Sequence, residues 1–289
     1  MNNNKIKEAV ITLPVISLKP FENYPFLIRE NENMAELVSS IKESGITTPL
    51  TVIPSDDGSF EIISGHRRKR AAELAGLTEV PAIIKHYDRE EAIVVMVDSN
   101  IHRDYLLPSE KAKAYAMKNE ALKRKRGRPT LDEAENKEKG RARELTAKGT
   151  GMSCSTVERY IGLNRLIPEI MTMVDSGKLG ITSGFELSHL TPDEQQTAFR
   201  SIETEGSPSL SQAQKIRQLS KDGKLNDDTV FEIMCHPKKS ESFNVIIPME
   251  KLKKYFPRAA SPKEIEEKLL ALCERLYQQQ MAKKRGNER

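Results

Sequence analysis

Tryptophan is absent from this 289-residue sequence and aromatics make up only 5%, so any core must be built from aliphatic side chains. Cysteine is also scarce. Cys154, Cys235 and Cys273 are odd in number and far apart, which argues against a disulfide framework or a zinc site and for a reducing, intracellular setting. Cys235 and His236 are adjacent, which is not ligand spacing without further partners. No run approaches the roughly 20 apolar residues of a membrane span, and the opening MNNNKIKEAV lacks the apolar stretch of a secretory leader. The expectation is a cytoplasmic chain with no membrane partner.

Charge is plentiful. Asp, Glu, Lys and Arg make up 30% of the chain, with a mild net charge of +4 that is unevenly spread. A basic, highly charged chain favours a nucleic-acid partner. The length suggests two or three domains.

The stretch FEIISGHRRKRAAELAG, from Phe60 to Gly76, is the most informative. Phe60, Ile62 and Ile63 read as a strand ending in a tight Ser-Gly turn. From His66 to about Leu74 the period becomes helical, with Ala71, Leu74 and Ala75 at i, i+3 and i+4 and Gly76 as the stop. The first turn carries Arg67, Arg68, Lys69 and Arg70, the wrong sign for a helix N-terminus. Two readings fit. Free N–H groups and arginine forks make a phosphate cradle, or the cations simply sit in water.

Around this stretch the pattern is mixed. Ala9 to Leu18 holds a strand pair's worth of apolar residues broken by Pro14, and Pro20 to Pro25 is a loop. Asn33 with Glu36 is cap-like, opening a helix whose apolar face is Met34, Leu37, Val38 and Ile41 and whose stop is Gly45. ITTPLTVI leads through the turn SDDG (Ser55 to Gly58) into Phe60, and Val80 to Tyr87 is another strand. Asp88 with Glu91 caps the next helix, which ends in DSNIHRDYLLPSEKA. There Asn100, His102, Arg103 and Asp104 crowd a helix end. They suit a nucleotide phosphate and its magnesium, although the local pattern by itself favours one helix ending and the next, opened by Pro108, beginning.

ISGHRRKRAAELAG, followed about thirty residues later by DSNIHRDYLLPSEKA, resembles two signature boxes of the ParB partition-protein family in its plasmid or conjugative-element form, and SIKESGITTPLTVI is similar to that family's first box. The resemblance implies an N-terminal domain that binds CTP. Gly65, His66, Arg67, Arg68 and Arg70 would form the phosphate side of the site, Asn100 and Arg103 would face the nucleotide, and Asn100 would face its Mg2+. Well-studied members carry Glu where His66 stands and Thr-Glu where Asp98 and Ser99 stand, a departure that bears on hydrolysis. Any CTPase activity should be slow, since no activated nucleophile or metal-generated hydroxide is visible. The same fold resembles sulfiredoxin, but no Cys follows Gly65, so redox chemistry is unsupported.

Beyond it, KRKRGRP from Lys123 opens a basic, then acid-rich stretch to Gly140 that reads as a linker. Its RGRP, with Arg126 and Arg128, resembles a minor-groove AT-hook. The alternative is a basic hinge that adds only nonspecific phosphate attraction. Next, a helix from Arg141 to Lys148, the turn Gly149 to Gly151 and a helix from Ser153 to Leu166 have the layout of a helix-turn-helix. Met152, Val157 and Ile161 would face inward. Ser153 would cap the second helix, with Cys154, Ser155, Thr156 and Arg159 outward and Arg159 reaching for guanine. An ordinary helical hairpin is the alternative.

Further helices are expected at Pro168 to Ser176, Thr182 to Leu190, Thr191 to about Ile202, and Ser207 to Ser220. The last part predicts a helix at Thr229 to Met234, a strand at Phe243 to Pro248, a helix at Met249 to Phe256, and a long helix from Ser261. In that helix Ile265, Leu269, Leu272 and Leu276 recur at heptad-like spacing, either a pairing seam or a stripe packed on the strand. So little core suggests a homodimer, as the resemblance also implies.

The expected fold is α+β in three parts: a small mixed α/β ParB/sulfiredoxin-like domain (1–108), an all-α helix-turn-helix domain with its linker (109–225), and a small α/β C-terminal dimerisation unit (226–289). The expected function is a sequence-specific DNA-binding partition protein, which the resemblance implies to be a CTP-gated sliding clamp that stimulates a ParA-type ATPase. The rival expectations are a transcription regulator without nucleotide switching and a ParB-like nuclease. Against the nuclease stands the lack of clustered carboxylates for a two-metal site.

Overall fold

A computed structural model describes residues 9–103, 105–125, 142–148 and 150–235, together with 268–269, 271–272 and 275. The chain divides into a unit of Met1–Lys238 and a second of Lys239–Arg289. In the second unit the described positions are helical, and Leu272 is half exposed. The strand and helices expected between 243 and 261 lie outside the described residues, as do Arg126 and Arg128.

Five strands form one mixed sheet in the order β1 (Val10–Pro14), β5 (Glu79–Ile84), β3 (Leu50–Pro54), β4 (Phe60–Ser64), β2 (Leu18–Pro20). The β3–β4 pair is the expected antiparallel hairpin, turning at Gly58 with φ 79°. The segment expected to be a strand pair behaves differently. A 3-10 turn at Val15–Ser17 separates β1 from β2, and they lie at opposite edges, β2 running parallel to β4.

Alternation along the central strands divides the core. Val52 and Ile62 face a cluster with Leu13, Leu18, Leu50 and Ala72, whereas Ile53 and Ile63 face Ala92, Met96 and Val97. The first face is covered by α2 (His66–Ala75), which also packs on α1 (Glu32–Ser44) through Ala71, Met34 and Ile41. Leu74, expected inward, is 41% exposed. The two alanines Ala71 and Ala72 do the packing, because close helix approach on both sides favours small side chains. The cap of α1 is Asn31, two residues before the Asn33 expected from the sequence. Asp88 caps α3 (Arg89–Asn100) as expected, accepting from Glu91 N at 2.6 Å.

The second core face continues through α4 (Pro108–Arg124) into the helical region of α5 (142–147), α6 (Cys154–Leu163), α7 (Pro168–Asp175), α8 (Ile181–Leu187), α9 (Pro192–Glu205), α10 (Leu210–Lys221) and α11 (Asp227–Cys235). Tyr115 on α4 and Tyr160 on α6 place two of the scarce aromatic rings 5.7 Å apart at this junction. Polar contacts tie the same helix in. Asn164 Nδ2 donates to Ala112 O at 2.8 Å, Ser109 Oγ to Asp175 at 2.6 Å, and buried Lys118 to Asp98 at 2.6 Å.

Candidate functional site

Strand β4 passes into α2 through one residue, Gly65, with φ 110° and ψ 16°. A Cβ there would stand 2.8 Å from Leu50 Cγ, so both the left-handed backbone and the space demand glycine. No side chain caps α2, and no acid lies in its first turn. Its leading N–H groups and positive dipole end are left for something outside the helix.

An open cleft of about 650 Å³ lies against this turn. Its walls bring together Gly65, Arg67 and Arg68 with Arg103, which follows α3. Arg67 donates to Tyr105 Oη at 2.7 Å and to Asn33 O at 3.3 Å. Arg68 donates to the carbonyl oxygens of Thr48 and Pro49. Burial, and then the nearby Arg103, push the Arg68 guanidinium below its usual range. Among the described residues none of the three arginines has a carboxylate ion-pair partner. Such a cluster of half-buried like charges favours a polyanion.

The other residues expected in the cradle are placed elsewhere. Arg70 turns to Glu30 at 2.6 Å and Glu73 at 3.2 Å. His66 is buried beneath the turn, stacked on Tyr24 with ring centroids 3.6 Å apart, and its Nε2 accepts from Phe21 N at 3.4 Å. Burial, reinforced by Arg103 and Lys69, pushes its pKa down to about 3, so the ring is neutral. Tyr24 is pushed up to about 12, chiefly by burial. Asn100, expected at the metal, is also buried. Its Nδ2 donates to Met96 O at 2.8 Å and Ser99 Oγ at 3.1 Å, while Oδ1 accepts from Tyr24 Oη at 3.3 Å. His66, Tyr24 and Asn100 thus form an internal polar stack joining the start of α2 to the end of α3.

The cleft has a wall that the sequence reading missed: Asn33, Glu36, Leu37 and Ser40 of α1. Their spacing of i, i+3, i+4 and i+7 marks one stripe along a helix, and that spacing could have found them. Asn33 and Glu36 were picked out as a cap-like pair and Leu37 as part of the apolar face, but none of them as a cleft wall.

In the helical region, α5 and α6 stand as the expected pair, though α6 ends at Leu163 rather than Leu166. Ser153 caps α6, accepting from Thr156 N at 3.2 Å. Val157, Tyr160 and Leu163 are buried and Ile161 is partly so. Ser153, Cys154 and Ser155 are exposed, while Thr156 and Arg159 are half-buried. Glu158, beside Arg159, pairs with Arg143 of α5 at 2.9 Å. The N-terminal turn of α6 therefore presents small hydroxyls and one thiol, with Arg159 just behind them.

The ParB N-terminal domain model matches residues 1–101. The chromosome-partitioning protein Spo0J of Thermus thermophilus is 32% identical over 214 residues, 74% of this chain and 72% of that protein. The chain belongs to the ParB family. A second relative, the nucleoid occlusion protein of Geobacillus thermodenitrificans, is 42% identical over 110 residues, 38% of this chain and only 39% of that protein's length. Among solved structures is the C-terminally truncated chromosome-partitioning protein ParB from Caulobacter crescentus. Complexed to the centromeric parS site it is 23% identical, with 72% of this chain and 98% of that one covered and a TM-score of 0.45. Complexed with CTP-gamma-S it is 24% identical, with the same coverage and a TM-score of 0.31.

Proposed function

We propose that this ParB-family chain is a sequence-specific DNA-binding partition protein whose N-terminal cleft takes a nucleoside triphosphate, CTP by family resemblance, with Mg2+. The observation that carries the nucleotide is the convergence of Arg67, Arg68 and Arg103 with the uncapped start of α2 in one open cleft. Guanidinium forks and free backbone N–H groups are complementary to a chain of phosphates. The cleft's oxygen donors, from Glu36, Ser40, Ser64 and Ser99, suit a hard cation such as Mg2+.

The DNA half rests on α6. Its capped, exposed first turn and Arg159 have the form that enters a major groove. A helix spanning both halves supports coupling between them, since α4 contacts α3 through Lys118–Asp98 and the helix-turn-helix through Asn164–Ala112. In this reading a bound nucleotide alters how two N-terminal regions associate, so that a homodimer loads on DNA as a clamp and stimulates a ParA-type ATPase. These partners rest on the family alone. That the DNA is a plasmid or mobile element rests on the SGHRRKRA form of the box at Ser64 to Ala71.

A two-armed titration tests the proposal. Each nucleoside triphosphate is titrated into the full chain, and DNA preference is measured on sites selected from a random pool. Arg68→Ala should lose the nucleotide, by about 100-fold for a desolvated guanidinium–phosphate contact, and keep DNA preference. Arg159→Ala should keep the nucleotide and fall to weak, salt-sensitive, sequence-blind DNA binding. No binding of any triphosphate by the unaltered chain sinks the first arm, and undiminished preference in Arg159→Ala sinks the second.

A further inference from the structure

We infer that Glu36 is the group through which this cleft reads the divalent cation of its nucleotide, making tight triphosphate binding conditional on the metal; the inference rests on the nucleotide reading above. Among the residues lining the cleft, Glu36 is the one acid facing three arginines. Four other carboxylates of the N-terminal half are paired with cations away from the cleft lining. Asp98 is bound to Lys118 at 2.6 Å, Glu30 to Arg70 at 2.6 Å, Glu110 to Arg29 at 2.7 Å, and Glu73 to Lys69. Among the described residues Glu36 makes no ion pair and stays exposed on α1. It lies one turn from Asn33, whose carbonyl oxygen accepts from Arg67, so this part of α1 faces the arginine wall.

Asn100, which the family resemblance assigned to the metal, has its amide buried and bonded to Met96 O, Ser99 Oγ and Tyr24 Oη. The carboxylate available to a cation is then on the opposite wall. The rest of the lining offers the hydroxyls of Ser40, Ser64 and Ser99 and neither His nor Cys, a hard-oxygen set that suits Mg2+ or Mn2+ rather than zinc. The electrostatics follow. Without a cation the Glu36 carboxylate repels a triphosphate drawn in by the arginines. A divalent ion between them turns that repulsion into a bridge.

The test measures CTP affinity of the full chain by calorimetry, once in Mg2+ and once in EDTA. In the unaltered chain the metal should tighten binding at least about tenfold, the scale of one close charge pair near a protein surface. Glu36→Gln should shrink that ratio below about threefold, mainly by gaining affinity in EDTA. Glu36→Asp should restore most of the ratio. With Mn2+ as probe, the electron paramagnetic resonance signal of the nucleotide-bound ion should be present for the unaltered chain and Glu36→Asp and lost for Glu36→Gln. A Gln variant that keeps the full ratio overturns the role of Glu36 and leaves the nucleotide reading standing. An unaltered chain that binds no triphosphate in either condition removes both.

Discussion

The start of α2 and the starts of α6, α9 and α10 solve the same problem in opposite ways. At α6, α9 and α10 leading N–H groups are met by the cap residue's own side chain. Ser153 accepts from Thr156 N, Thr191 exchanges bonds with Glu194, and Ser209 does the same with Gln212. The charges there are also paired, as in Arg217–Glu186 and Arg200–Asp227, both at 2.7 Å. At α2 there is no cap, no acid and a crowd of cations. Those three helix starts carry their own caps, whereas α2 begins uncapped against an open cleft. Local dissatisfaction of this kind, held by a glycine turn and a buried histidine, is the feature on which the proposed nucleotide site rests.

The largest effect expected from this contrast is on acid stability. His66 is pushed from 6.5 down to about 3 by burial, with Arg103 and Lys69 adding to it. Between those values the unfolded chain carries the extra proton, so stability rises with pH through this window and is lost as pH falls. The loss approaches about 1.4 kcal/mol per pH unit, and on the order of 4 kcal/mol over the window. Urea unfolding at a series of pH values should show a slope that His66→Gln flattens. An unchanged slope would mean that the ring is freely protonated when folded.

The next effect compares two turns. Gly65→Ala meets both a φ of 110° and Leu50 Cγ at 2.8 Å, and should cost about 3 kcal/mol from strain and overpacking together. Gly151→Ala, in the turn before α6, meets a φ of 70° with nothing within 4 Å and should cost only about 1 kcal/mol. Equal losses in chemical denaturation would erase the distinction drawn between the two regions. The smallest effect is Thr191→Ala, which removes the cap of α9 and should cost about 1 kcal/mol while leaving nucleotide affinity unchanged. A change in affinity would mean that the helical region and the cleft are not separable.

What was legible in the sequence follows the same division. Caps such as Asp88 and Ser153 act within one turn, so residue type and spacing reveal them. The β3–β4 hairpin was readable for the same reason, since its turn lies between the strands it joins. Three of the four arginine-type cations expected in the cradle do line it, namely Arg67, Arg68 and Arg103. The fourth, Arg70, was misplaced because its partner Glu30 lies forty residues away. His66 and Asn100 were expected at the ligand because motif position says nothing of depth. The stack on Tyr24 that buries them joins three distant segments. The α1 wall was missed because a polar stripe on a surface helix reads the same whether it meets water or a cleft.

Helix α4 has 17 residues and so is about 25 Å long. Its first turn is pinned by Glu110, which accepts from Leu27 N at 2.6 Å, Arg29 at 2.7 Å and Leu107 N at 2.8 Å. A rod of that length, held at its first turn by the strap that also carries Tyr24 and further along by the Lys118–Asp98 pair, passes on a displacement rather than absorbing it. Tilting it by only about 5° sweeps its far end through about 2 Å. That distance is several times the roughly 0.5 Å spread of a good N–H···O bond, so small adjustments beside the cleft are large ones where the helix ends.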